Sequence, residues 1–219
     1  MKDALNTTHE ITKLINKKSP HRDACFEHLK AEMAPDTPGI RVLCPTWWTV
    51  RAEALKSILE NYQVLLELWI ESVDIVKDAG MKAHIRGVES QMKSFDYFYG
   101  VTLEDLTLQH SDNLSRTLQK TDISAAEGQE VTAMTVQTLK TLRSDSNFSL
   151  FWKKVTMIAD TLDVSAPQLP CRRKIPRRLE VGSADGDFPA TPEDRYRRTY
   201  FQPIDLIIAC INDRFNQTG

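Results

Sequence analysis

An apolar pattern of helical period, carried through the middle of the chain with few breaks, restricts its fold more than any other feature. Ile58, Leu59, Tyr62, Leu65, Leu66, Trp69, Ile70, Val73 and Val76 recur at spacings of three and four. Residues so spaced line one face of a helix, predicted here from about Thr49 to Lys77, with Gly80 as its stop. Ile85, Val88, Met92, Phe95 and Phe98 predict a second helix ending near Gly100. Leu103, Leu106, Leu108, Leu114 and Leu118 predict a third, starting near Thr102, where Asp105 three residues on is an approximate capping signal. Val131, Met134, Leu139 and Leu142 mark a fourth. Phe148, Phe151, Trp152, Val155, Ile158 and Leu162 mark a fifth.

On the N-terminal side, Met1 to about Lys18 reads as a short helix with Leu5, Ile11, Leu14 and Ile15 inward, ended by Ser19-Pro20. A second short helix fits His21 to Met33, followed by a loop from Ala34 to Gly39. Ile40-Arg41-Val42-Leu43 has the makings of a short strand closed by Pro45. From Ser165 to Pro192 the helical period disappears and prolines accumulate, at Pro167, Pro170, Pro176, Pro189 and Pro192. This stretch is predicted as a linker or long loop. Thr191-Pro192-Glu193-Asp194 then opens a last helix, about Pro192 to Phe215. Threonine as N-cap, proline at the first helical position and acids in the first turn are together a strong start. Pro203 predicts a kink or restart inside that helix. With only 8 glycines, a barrel or sandwich of many tight turns is disfavoured. The expected class is all-α, a mainly helical bundle with little or no β structure at about 40–43.

Bulk properties exclude some function classes. A net charge of −2 gives no global argument for nucleic acid, so any such argument must be local. Cys25, Cys44, Cys171 and Cys210 are widely scattered and read as reduced thiols, as in the nucleus or cytoplasm. No apolar run approaches the roughly 20 residues of a membrane helix.

Few motifs carry chemistry. His21, Cys25 and His28 would share one face of a helix, but no fourth metal ligand is evident nearby, and no metal or other cofactor is expected. Glu104-Asp105 and Glu193-Asp194 read as acids serving helix starts on a solvated surface. The nucleophile elbow, the dinucleotide-binding glycine motif and the phosphate loop are absent. One feature is locally dense: Arg172, Arg173, Lys174, Arg177 and Arg178 form a basic run, with Arg195, Arg197 and Arg198 shortly after. Such a run is a solvated loop, a nuclear-import signal, or a contact to phosphates that reads no sequence.

Four stretches taken in order carry a resemblance. They are Leu43-Cys44-Pro45-Thr46-Trp47-Trp48-Thr49-Val50-Arg51; then Ile85-Arg86-Gly87-Val88 with Gln91-Met92 and Phe95-Asp96; then Asp112-Asn113-Leu114-Ser115 with Thr117-Leu118-Gln119; and last Tyr196-Arg197-Arg198-Thr199-Tyr200-Phe201 with Asp213-Arg214-Phe215. The series resembles the hAT superfamily of DNA transposases, in particular the zinc finger MYM-type protein 1-like group derived from them, over roughly Ala4 to Gln217.

The resemblance implies a ribonuclease-H-like core that holds divalent metals with three acids, interrupted by a large helical insertion ahead of the last acid. On that correspondence residues 1–47 are a flank left from the core, 48–164 the helical insertion, 165–192 a basic Pro-rich loop and 193–219 a C-terminal helix. The first two acids would lie upstream of Met1 and the last downstream of Gly219, so no catalytic residue and no enzyme activity are expected. Trp48 takes the place of the family's tryptophan implicated in strand cleavage and hairpin formation; with Arg51 and the basic run it forms the expected DNA-contact set. Plain core packing at a helix start is the other reading of Trp47 and Trp48. The chain departs from the family twice. Trp47 stands where arginine precedes that tryptophan, which removes a planar, always-charged phosphate partner. Gln202-Pro203 stands where Glu-Ala is usual inside a helix.

Two functional readings follow: a transposase-derived helical fragment making non-specific DNA contact in the nucleus, or a helical module that binds itself or a nuclear protein. The second predicts an exposed apolar patch on the Thr49–Lys77 or Phe148–Leu162 helix. An unrelated helical enzyme would need a pocket of converging polar groups, and nothing in the sequence marks one.

Overall fold

The computed structural model describes residues 2–16, 20–41, 48–170 and 188–215. Among them it is all-helical, with α1 (Lys2–Asn16), α2 (Pro20–Met33), α3 (Trp48–Glu60), α4 (Tyr62–Ile75), α5 (Ala79–Met92), α6 (Phe95–Leu118), α7 (Ala125–Leu142), α8 (Asp145–Thr161) and α9 (Pro192–Phe215). No strand occurs among the described residues; Ile40 and Arg41 are irregular, and Val42 and Leu43 lie outside them. In place of a strand ladder, the Arg41 N–H donates to Ser57 Oγ of α3.

Hydroxyl and carboxyl caps set most of the boundaries. Asp78, Ser94, Ser124 and Ser144 each accept a backbone N–H of the first turn they precede. Ser124 with Glu127 completes a reciprocal capping box. Thr191 Oγ1 accepts from the Asp194 N–H, and Asp194 accepts in return. Helix α8 ends on Asp163, whose φ of 53° is left-handed, while the Val164 N–H reaches back to Ala159 O. At the α1–α2 corner the buried Arg22 donates its Nε to Leu14 O, one of the carbonyls a helix end leaves without a partner.

Four predicted boundaries are corrected. The long helix at Thr49–Lys77 is two helices, broken at Asn61. That residue is fully buried, with φ −107° and ψ 18°, and its amide donates to Pro38 O and Ser57 O while accepting from Thr37 Oγ1. Asparagine competes for backbone partners in this way, and the 34–38 loop is tied in as a result. The second break falls at Lys93-Ser94, not at Gly100–Thr102, so α6 runs unbroken through Gly100. Gly100 is a close approach rather than a stop: a Cβ there would lie 3.1 Å from Ala4 Cβ of α1. Gly80 likewise sits in the first turn of α5 and ends nothing. Pro203 causes no restart; α9 continues across it.

Helix α6, about 36 Å long at 1.5 Å per residue, is the hub. It packs against α1, α3, α5, α7, α8 and α9, while α2 and α4 pair at the outside of the N-terminal half. The apolar side chains of α1 through α9 form one continuous core. In the C-terminal half that core is aromatic. Phe95 and Tyr99 of α6, Phe148, Phe151 and Trp152 of α8, and Tyr196 and Tyr200 of α9 stack and edge into one another at centroid separations of 4.6 to 6.2 Å.

Candidate functional site

The expected DNA-contact residues are placed unevenly. Trp48 is the first residue of α3, and Arg51 stands half-buried one turn later. Arg172, Arg173, Lys174, Arg177 and Arg178 lie outside the described residues, but both stems of their segment are placed. Arg195 Nη1 donates to Gln168 O at 2.7 Å, and residues 188–191 lead directly into α9. Gln168 and residues 188–191, on either side of that segment, therefore lie at the N-terminal end of α9.

Cations on and beside α9 are engaged by aspartates. Arg195 meets Asp96 at 3.0 Å, Arg197 meets Asp145, and Arg143 makes a two-pronged pair with Asp205. Arg143 and Arg197 also lie over the Phe201 ring. This face of the helical body is thus largely charge-balanced. A second network joins α3 to α6, where Glu53 accepts from Arg41 and Arg116, and Asp112 holds Arg116 at 3.0 Å.

Of the metal-ligand candidates on α2, Cys25 donates to Glu71 at 3.0 Å and His28 lies 3.6 Å from Glu32. Burial and the neighbouring carboxylate push the Cys25 thiol up to about 11. No three histidine, cysteine or acidic side chains converge among the described residues.

Glu104 departs from its expected place on a solvated helix start. It is not an exposed acid at a helix start; it sits in the middle of α6 and is 1% exposed. Neither carboxyl oxygen has a hydrogen-bond partner among the described residues. Burial raises its pKa to about 7, against the pull of the Arg51 charge. Nearby, Thr8 of α1 and Tyr97 of α6 share a hydrogen bond of 3.1 Å, and Thr107 bonds back to Leu103 O. The signal available in sequence was weak, since the 3.6-residue period of α6 brings Glu104 onto the inward face only once the helix runs through Gly100.

A cleft of about 1030 Å³ opens between α1 and α5 on one side and α9 on the other, floored by α6. His84 and Glu10 face each other at 3.5 Å on its α1–α5 wall, and Arg195, Gln202 and Pro203 line the α9 wall. Glu104 does not line it. Among the described residues no helix is long and apolar enough to cross a membrane. No family model matches the chain, and no solved structure gives a significant match.

Proposed function

We propose that this chain is the helical insertion domain, with its flanks, of a protein derived from a hAT-superfamily transposase. In this reading residues 1–47, 48–164, 165–192 and 193–219 are the core flank, the insertion, the basic loop and the closing helix. It holds none of the family's catalytic acids, is not an enzyme, and contacts DNA in the nucleus through Arg172, Arg173, Lys174, Arg177 and Arg178 without reading sequence. The supporting observation is that blocks far apart in sequence meet in space. Asp96 of the second block accepts from the Tyr196 hydroxyl of the fourth at 2.5 Å, and Asp112 of the third shares Arg116 with Glu53, beside the first. Ordered blocks that contact one another are what one inherited fold requires. The basic loop supports the DNA contact because its stems are fixed at α9, where the neighbouring arginines already have aspartate partners.

The test is binding to unrelated duplexes across a salt series. Each phosphate neutralised contributes about −0.9 to the slope of log affinity against log salt, so five cations give up to about −4.5. Replacing all five with alanine should flatten the slope by that amount and weaken every duplex equally. A variant that binds like the wild type, or Mg²⁺-dependent nicking by the purified chain, overturns the reading.

A second reading, a helical interaction module, is favoured by one observation. Leu150 and Met157 of α8 and Ile70 and Ile75 of α4 are exposed on helices otherwise well packed.

A further inference from the structure

The exposed stripe of α4 is narrow. Glu67, Ile70, Glu71, Asp74 and Ile75 are exposed, while Val64, Leu65, Leu68, Trp69, Ser72 and Val73 behind them are buried. It is an acidic face with two isoleucines set into it. The exposed face of α8 has the opposite character: Leu150 and Met157, one heptad apart, are flanked by Lys153 and Lys154, with Asp160 at the margin. Among the described residues, Glu67 and Asp74 on one side and Lys153 and Lys154 on the other form no ion pair, the Lys154 charge reaching only as far as a coulombic pull on Asp105. The contrast is with Glu10, Glu53, Glu89, Asp96, Asp145 and Asp205, all matched internally.

Within one chain the two faces cannot meet, because α4 packs on α2, α3 and α5 whereas α8 packs on α6, α7 and α9. Like-with-like pairing between copies is disfavoured: α4 on α4 brings acids together, and α8 on α8 brings Lys153 and Lys154 against their equivalents. Complementary pairing satisfies both the charges and the apolar side chains.

We infer that the chain associates with a second copy of itself head to tail, the acidic α4 face of one seated on the basic α8 face of the next. The inference rests on the interaction-module reading and specifies its surface. The contact is heterologous, so each copy keeps one free face of each kind and association grows with concentration instead of stopping at a closed dimer. A single helix-on-helix contact buries less than the roughly 1,200 Å² of a stable complex, so it is weak, with a dissociation constant on the order of 10⁻⁵–10⁻⁴ M.

Sedimentation velocity on the full chain at about 200 µM, in low salt and in about 0.5 M salt, tests it. The wild type should sediment as a species larger than one chain in low salt and approach one chain in high salt. Two charge reversals, Lys153→Glu with Lys154→Glu, and Glu67→Lys with Asp74→Lys, should each weaken association at least about tenfold. All four positions are exposed, and each variant should keep the wild-type circular dichroism spectrum. Mixing the two variants should restore association, because each then offers the other a complementary face. A chain monomeric under every condition overturns both this inference and the interaction-module reading as self-association. Association that ignores salt and both reversals, or that mixing fails to restore, overturns the α4–α8 pairing and leaves self-association through another surface.

Discussion

At the scale of single residues, Glu104 gives the chain a pH dependence that its surface carboxylates do not share. Its folded pKa, about 7, lies above the ordinary 4.5. Between those values the folded state holds more protons than the unfolded one, so stability falls as pH rises through the window. Below about 4.5 both states are protonated and the penalty is absent; above about 7 it is complete, about 3 kcal/mol. Partly buried His110, whose pKa burial lowers, acts in the opposite sense, because its folded form gives up a proton first. The Glu104→Gln variant isolates the carboxyl: urea unfolding should show it more stable than wild type by about 3 kcal/mol near pH 8 and nearly equal near pH 4.5. A wild type and a variant that track each other across that range would mean the carboxyl is not desolvated in the fold.

At the scale of elements, the period of the apolar residues was legible and the breaks were not. Val131 to Leu142 fall within α7, and Phe148 to Ile158 within α8 with Leu162 as its C-cap, because each run stands alone between strong caps. Thr191-Pro192-Glu193-Asp194 opens α9 for the same reason, the capping groups lying next to the residues they cap. Asn61 breaks its helix through partners at Thr37 and Pro38, more than twenty residues away, which no local pattern carries. Glycine is poor in helices, which makes Gly100 look like a terminator, whereas its use here is tertiary, to admit α1. Thr102 with Asp105 resembles a cap in sequence, while the operative one, Ser94, lies inside a continuous apolar period that gives no sign of a break. The same misplacement hid Glu104. Gly100→Leu should drive α1 off α6 and lower stability by about 1–3 kcal/mol in urea titration, while Gly100→Ala, meeting only Ala4 Cβ, should cost less. Equal stability of the leucine variant and the wild type would contradict the close approach.

At the scale of the whole molecule, α1 and α9 both rest on α6, so the apolar groups form one core and not two. A lesion in α9 should therefore be felt in α4. Tyr196 packs against Phe95, Tyr99 and Trp152, and its hydroxyl donates to Asp96. Tyr196→Ala should cost about 3–5 kcal/mol, with far-ultraviolet circular dichroism and tryptophan fluorescence, which includes fully buried Trp69, losing their signals at one shared, lowered midpoint. Two separated midpoints would instead divide the chain into independent halves.

The aromatic seam between α6, α8 and α9 also sets an order of events during synthesis. Helices α1 to α8 leave the ribosome before α9 does, and until then Phe95, Tyr99, Phe148 and Trp152 lack the tyrosines that cover them. The nascent chain thus presents a sticky ring-lined surface for as long as translation takes to cross the Pro-rich stretch and α9, and that interval is when chaperone capture or misassembly has its opportunity.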